Sequence, residues 1–343
     1  MDARGHPHAL DPELARLLAE VELRAGQLSR RHPDRVALAR ALTRWLMRTC
    51  APRVPSPVGV ELLSIRTGCG DVPLRLYRPG AKPAGRPVPL VLFFHGGGWM
   101  AGSAEDYDPF VRTLCALTQL PFASVDYRLA PENPFPAAHQ DCLRAAEWVF
   151  AHAHEIGVQR EAVMVMGDSA GAALAAATAW RLARRGRGRF RRAYLLYPFL
   201  DLRGDHGRHP SRLAYGDGRF LISVDDLAHS ADTYLRRAGR AEQAIVSPLL
   251  LPELSLLPPT TLIIAGFDPL ADEAKAFASR LVDAGVETTG KLFPTAIHGF
   301  LPFGDLAIAR VGRAWLAGRV RGDLAADECG DGASRSEEAG VPP

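Results

Sequence analysis

Gly167-Asp168-Ser169-Ala170-Gly171 joins an apolar run, Ala162–Met166, to a stretch of small residues extending from Ala170 to Arg185. The run has the unbroken hydrophobicity of a strand covered on both faces, and the stretch after it has the composition of a helix. A turn from strand to helix in so few residues strains the backbone of its central residue. The residues two before and two after must then carry almost no side chain, which Gly167 and Gly171 provide. Ser169 is expected to project its hydroxyl above the sheet at the helix N-terminus. There the amide of Ala170 and the helix dipole favour negative charge. Ala172, Ala173, Ala175 and Ala176 let that helix lie close to the sheet. An ordinary strand–helix turn with a capping Ser can carry the same five letters, so the other parts of a catalytic site must be found elsewhere in the chain.

Outward from this turn the chain alternates strand and helix patterns. Val60–Thr67 and Val72–Tyr77 read as strands joined by a Gly-containing turn, and Leu90–Phe94 and Phe122–Tyr127 as buried strands. Pro136–Ala153 reads as a helix and Arg192–Leu196 as a strand. From about 201 to 248 the periodicity weakens and the rhythm breaks, which marks an insertion. It resumes with Thr261–Ala265 (strand), Ala271–Ala284 (helix), Val286–Phe293 (strand) and Leu306–Val320 (helix). Strands alternating with helices imply an α/β fold with a mostly parallel sheet covered on both faces. Before this core, Asp11–Leu28 and Val36–Met47 have the apolar spacing of two amphipathic helices, and Pro52, Pro55 and Pro57 then break the chain. After about Gly322 the chain turns acidic and poor in hydrophobes, the composition of a disordered tail.

His95-Gly96-Gly97-Gly98-Trp99 follows the strand Leu90–Phe94 directly. Consecutive glycines expose backbone N–H groups and let a substrate carbonyl approach closely, so amides within Gly96, Gly97 and Gly98 are expected to supply oxyanion donors beside Ala170, without the sequence singling out which pair. A phosphate-cradling loop is the rival reading, but the Gly-Lys-Ser/Thr ending and the G-x-G-x-x-G spacing are both missing. His95 reads as a brace of the loop. Asp268 stands just past the strand Thr261–Ala265, at the sheet edge where active sites of such folds lie. Asp272 and Glu273 fall in the following helix and are expected to stabilise its first turn. His298 follows Val286–Phe293 after a short loop. The chain order Ser169, Asp268, His298 matches a nucleophile, acid and base on an α/β-hydrolase sheet and neither of the other two common orders.

With these pieces together, the chain resembles the hormone-sensitive-lipase family of bacterial esterases and lipases. The matching segments are His95-Gly-Gly-Gly-Trp99, Asp126-Tyr-Arg-Leu-Ala-Pro-Glu132, Gly167-Asp-Ser-Ala-Gly171, Asp268-Pro-Leu-Ala-Asp272 and His298-Gly-Phe300, spread over roughly residues 60–300. The elbow looks like the family's Gly-Asp-Ser-Ala-Gly subgroup, and Ala271 stands where the acid motif often carries Arg. The resemblance implies an α/β-hydrolase fold with an eight-stranded sheet. It also implies a helical cap from about 1–55 and 201–248, a catalytic domain over 56–321, and a tail at 322–343 outside the pattern. It implies a serine carboxylesterase acting on short- to medium-chain acyl esters, with no cofactor and no metal, and dimerisation through the last strand and helix is common for similar proteins. An amidase or deacetylase could use the same triad. Relatives that bind ligand without turnover, such as the plant gibberellin receptors, lack the catalytic His that this chain keeps at His298. Candidate pocket walls are Trp99, Tyr107, Phe199, Tyr215, Phe220, Leu221 and Phe300.

Composition agrees with this reading. At 343 residues with 47% hydrophobic and 23% charged content, the chain can bury a sizeable core. A net charge of +3 gives no reason to expect a nucleic-acid partner or a membrane surface. Nearly all the basic residues are Arg, since Lys occurs only at Lys82, Lys275 and Lys291. The run Arg181, Arg184, Arg185, Arg187, Arg189, Arg191, Arg192 reads as a solvated surface. Five widely spaced Cys make neither a disulfide framework nor a zinc site, and Cys115 and Cys142 read as small buried hydrophobes. No secretory signal and no apolar run long enough to span a bilayer are visible, so the expected location is cytoplasmic and the expected partner a small-molecule ester.

Overall fold

The centre of the molecule is Val88–Phe94 (β3), and its alternation divides the core in two. Leu90, Leu92 and Phe94 pack into one apolar cluster, and Val91 and Phe93 into another on the opposite face. The computed structural model describes residues 8–66, 70–80, 87–236 and 240–330, with side chains to 326. Around β3 lie Val58–Ile65 (β1), Val72–Pro79 (β2), Phe122–Val125 (β4), Val158–Asp168 (β5), Ala193–Leu196 (β6), Thr260–Phe267 (β7) and Thr288–Ile297 (β8). They form one eight-stranded sheet in the order β1-β2-β4-β3-β5-β6-β7-β8. The β1–β2 and β2–β4 pairs are antiparallel, and every other neighbouring pair is parallel. This is the α/β-hydrolase fold expected from the sequence.

The helices are Pro12–Ser29 (α1), Arg35–Thr49 (α2), Asp108–Thr118 (α3), Ala137–Ala151 (α4), Ala170–Arg184 (α5), Pro210–Tyr215 (α6), Val224–Leu235 (α7), Ala271–Asp283 (α8) and Ala307–Gly330 (α9). α4, α5 and α8 share one core cluster with the sheet, while α1, α3 and α9 share the other. α1 starts cleanly because the Asp11 carboxylate accepts the amides of Glu13 and Leu14, with Pro12 in its first turn. α7 opens with a reciprocal capping box between Ser223 and Asp226.

Three features depart from the sequence reading. Helix α3, with Phe110, Val111, Leu114 and Cys115 buried, lies in a segment not read as helical. α9 continues through Gly322 to Gly330, so the helix extends into the stretch read as tail, whose remainder at 331–343 lies outside the described residues. The Arg run is not wholly solvated either. Arg192 is 5% exposed and pairs with Glu287 at 3.0 Å and Asp323 at 3.5 Å, because a cation at the base of the parallel strands must find anions there. Cys115 and Cys142 are fully buried, as expected of small hydrophobes. Among the described residues no helix is long and apolar enough to cross a membrane.

Candidate active site

The turn after β5 is as tight as its glycines demand. A Cβ on Gly167 would lie 2.2 Å from the carbonyl oxygen of Gly171, and one on Gly171 would lie 2.1 Å from that of Phe94. Ser169 between them holds φ 53° and ψ −119°, a conformation that L side chains rarely adopt. It stands at the head of α5 but makes no side-chain cap. Its hydroxyl instead lies 2.9 Å from Nε2 of His298. Nδ1 of His298 lies 2.9 Å from Oδ2 of Asp268, and the other oxygen of Asp268 accepts the amide of Leu270 at 2.8 Å. Asp268 is 1% exposed and His298 6%. The three residues expected to act together, far apart in sequence, are thus within hydrogen-bond reach at the C-terminal edge of the sheet.

Neither rival carboxylate reaches His298. Asp272 accepts the amide of Ser211 at 2.7 Å and pairs with Lys275 at 3.1 Å. Glu273, expected as a first-turn helix charge, is fully buried. It pairs with Arg212 of α6 at 2.5 Å and accepts the amide of Leu200 at 2.5 Å, so it fastens the insertion to the core.

The glycine loop after β3 divides its labour. The amide of Gly96 donates to Oδ1 of Asp168 at 2.7 Å, so the expected oxyanion role of Gly96 does not hold: its donor is already used. Gly97 and Gly98 take φ +108° and +61°, and the carbonyl of Gly97 accepts the amides of Met100 and Ala101 in a tight turn. The amides of Gly97, Gly98 and Ala170 meet no acceptor among the described residues and are available to an oxyanion. His95 braces the loop as expected. It is fully buried, lies 2.8 Å through Nδ1 from the Gly96 carbonyl, and stacks on Tyr127 with ring centres 4.3 Å apart. Burial holds its imidazole below the usual range, which suits a neutral structural ring.

Two groups of supporting residues escaped the sequence reading. The first is Asp168 with Tyr107, whose hydroxyl donates to Oδ2 at 3.1 Å. Burial pushes the Asp168 carboxyl up to about 7, against the opposing pull of the Tyr107 hydroxyl, the Gly96 amide and the nearby His298. The second is the Asp126–Glu132 segment, quoted above only as a family likeness. Asp126 accepts the amide of Ala104 at 2.9 Å, the Tyr127 hydroxyl donates to the His95 carbonyl at 2.7 Å, and Arg128 forks onto the buried Asp141. The segment is a cradle beneath the glycine loop. Its repeated polar and aromatic residues were the available signal.

Above Ser169 lies a cavity of about 1000 Å³. Leu18 and Val21 of α1, Leu38 and Leu42 of α2, and Phe220 and Leu227 of the insertion are among its mainly apolar walls. Of the expected wall residues, Tyr107, Phe199, Phe220 and Leu221 line it. Trp99, Tyr215 and Phe300 do not. Trp99 stacks on Tyr234 with ring centres 4.9 Å apart, Tyr215 packs on Phe267, and Phe300 packs between Tyr197 and Phe293. Trp99 and Phe300 are buried in the core against these rings, and Tyr215 packs against its edge.

Comparison with known proteins agrees with the geometry. A family model described as the α/β-hydrolase fold matches residues 91–302. The chain is 37% identical over 266 residues to the carboxylic ester hydrolase LipN of Mycobacterium tuberculosis, covering 74% of this chain and 68% of that one. It is 32% identical over 302 residues to the ethyl acetate hydrolase of Pseudomonas putida, covering 87% of this chain and 94% of that one. Among solved structures, the hyperthermophilic esterase of Pyrobaculum calidifontis superposes with a TM-score of 0.84 at 32% identity, covering 92% of this chain and 99% of that one.

Proposed function

Since the chain belongs to the hormone-sensitive-lipase-like family of α/β-hydrolase-fold carboxylic ester hydrolases, we propose that it cleaves short- to medium-chain acyl esters with Ser169 as nucleophile. His298 takes the hydroxyl proton of Ser169 through Nε2 as Oγ attacks the ester carbonyl. Asp268 holds the Nδ1–H tautomer and stabilises the imidazolium that forms. The amides of Gly97, Gly98 and Ala170 receive the oxyanion of the tetrahedral intermediate. Donors fixed in a buried site need no reorganisation at that moment, and each is worth roughly 10²–10³ in rate. His298 then gives its proton to the leaving alcohol, and an acyl group remains on Ser169. Water, deprotonated by the same imidazole, releases the acid.

The observation that carries this reading is the unbroken relay from Ser169 through His298 to Asp268, at 2.9 Å for each hydrogen bond. The apolar cavity above it supports an acyl or alcohol group of some length. The relative named for ethyl acetate hydrolysis supports activity at the short end. Ser169→Ala should keep the fold and lose hydrolysis of p-nitrophenyl butyrate by at least ~10⁴-fold. Turnover unchanged in that variant would overturn the assignment. A series of p-nitrophenyl esters from acetate to palmitate should peak at or below medium chain length, and a maximum at the longest chain would refute that part.

A further inference from the structure

Helix α2 has two working faces. Leu38, Leu42 and Leu46 turn toward the cavity. Arg40, Arg44 and Arg48, spaced four apart and so stacked along one side of the helix, turn toward acidic groups of the catalytic core. Arg44 and Arg48 meet Asp106 at 3.5 and 3.4 Å, and Arg48 also meets Glu105 at 3.0 Å. Arg40 does more than pair with a charge. Its Nε donates to the carbonyl of Met100 at 2.8 Å, and Nη2 donates to the carbonyl of Ala130 at 3.0 Å. The two Nη atoms also fork onto Glu132 at 2.8 and 2.6 Å.

These acceptors belong to the glycine loop, which carries two of the free amides, and to the cradle beneath it. The amide of Met100 closes the turn onto the Gly97 carbonyl, and the amide of Ala130 donates to the Trp99 carbonyl at 2.9 Å. One guanidinium therefore spans the glycine loop and the cradle beneath it, from a helix that also walls the pocket. A planar fork with five fixed donors fits this task, whereas an ammonium offers three donors from a single point to the four acceptor atoms of Met100, Ala130 and Glu132. The Glu132 carboxyl, held down to about 2 chiefly by its hydrogen bond to Arg40, stays charged to support the fork.

We infer that Arg40 is a positioning residue for hydrolysis: it clamps the carbonyls of Met100 and Ala130 and so fixes the Gly97 and Gly98 amides where the oxyanion develops. The inference rests on the oxyanion role assigned to those two amides above. It makes α2 part of the catalytic framework as well as a wall.

The test compares Arg40→Ala, Arg40→Lys, Glu132→Gln and Arg44→Ala with the parent enzyme. Each is assayed on p-nitrophenyl acetate, for inhibition by an alkyl trifluoromethyl ketone that forms an oxyanion on Ser169, and for Tm. Arg40→Ala should lower kcat about tenfold, with KM within about twofold, and weaken the ketone in step with kcat/KM. Arg40→Lys should recover part of the loss. Arg44→Ala, which removes an exposed side chain paired with Asp106, should stay within about twofold in kcat. A lower Tm with kcat and ketone affinity unchanged in Arg40→Ala would make Arg40 a structural tie only and overturn the inference. A rise in KM alone would overturn it too, making Arg40 a support of the pocket wall. If Arg40→Ala does not fold, Arg40→Lys and the exposed-site Glu132→Gln decide. A fall of about threefold in kcat at constant KM in both supports the clamp, and unchanged kcat in both overturns it. Ser169→Ala run beside them separates the two readings: a silent Ser169→Ala with an unaffected Arg40→Ala fails the clamp alone, whereas an active Ser169→Ala fails the hydrolytic site itself.

Discussion

The carboxyl of Asp168 accepts the amide of Gly96 at 2.7 Å, and so the residue before Ser169, the proposed nucleophile, holds the first glycine of the loop after β3. The contact joins the ends of β5 and β3, which are neighbours in the sheet with Phe94 paired to Gly167. It fixes the loop relative to Ser169 with one buried hydrogen bond, and Tyr107 supports the other carboxyl oxygen. A Cβ on Gly96 would lie 2.6 Å from that second oxygen, so the close approach requires glycine there.

The Asp168 contact gives a pH prediction. Burial raises its folded-state pKa to about 7, from an ordinary value of 3.8. Between those values the folded chain holds a proton that the unfolded chain has lost. Its contribution to stability is therefore complete below about 4 and is lost as pH rises through about 7, with a slope of up to ~1.4 kcal/mol per pH unit. Asp168→Asn removes this titration. Urea midpoints measured from pH 4.5 to 8 should show the Asn variant gaining on the parent as pH rises through that window. A difference between the two that stays flat with pH would refute the linkage.

Gly171→Ala tests the elbow as a steric object, separate from its chemistry. The added methyl would lie 2.1 Å from the Phe94 carbonyl oxygen and 2.5 Å from that of His95, both backbone atoms unable to step aside. The strand end, the oxyanion loop or α5 must move. The expected loss is at least ~3 kcal/mol of stability together with most of the activity, read by urea denaturation and ester turnover. A variant with parent-like stability would mean that α5 can slide away from β3.

Much of the site is visible in the sequence because its constraints are local. Strain at Ser169 requires glycine at two fixed distances, the loop needs consecutive glycines just after a buried strand, and the acid and base each follow a strand. Each requirement marks a short stretch of chain. The distinction among Gly96, Gly97 and Gly98 left no such mark, because three identical residues differ only in what folds against them. The contacts of Asp168 with Tyr107 and of Arg40 with the loop carbonyls were missed for a related reason. The partners are remote in sequence, and an Arg on a polar helix face looks the same whether it meets water or a carbonyl. Helix α3 was missed although its apolar spacing is plain at Phe110, Val111, Leu114 and Cys115. Arg192 was grouped with its neighbours by composition, whereas burial beside Glu287 and Asp323 sets it apart.

The insertion is held to the core by a buried ion pair, and breaking it from one side should be worse than removing it. Arg212 is 2% exposed and Glu273 is fully buried. Besides Glu273, the guanidinium donates to the carbonyl of Asp201. Glu273→Leu would strand a buried cation and is expected to cost about 3–5 kcal/mol, whereas Arg212→Met combined with Glu273→Leu should recover a large part of that loss. Urea denaturation of the single and double variants checks the ordering. A double variant no more stable than Glu273→Leu would show that the bonds to Leu200 and Asp201, more than the charge pair, hold α6 against α8.

Contact between α7 and the oxyanion loop supplies the final prediction. Gly98 lies at φ +61°, where an Ala costs roughly 1–2 kcal/mol but is not forbidden. The harder obstacle is Ser230, whose Cβ would stand 2.9 Å from a Cβ at position 98. Gly98→Ala should therefore press α7 and the loop apart and lower kcat by about tenfold, because the displaced amide is one of the proposed oxyanion donors. Ser230→Gly removes the opposing atom, at about 1 kcal/mol of helix stability, and leaves the reacting groups alone. Combined with Gly98→Ala, it should bring kcat back to within about threefold of Ser230→Gly alone, a coupling that a double-mutant cycle measures directly. If the double variant is no faster than Gly98→Ala, the new methyl obstructs the site itself, and α7 has no part in setting the loop.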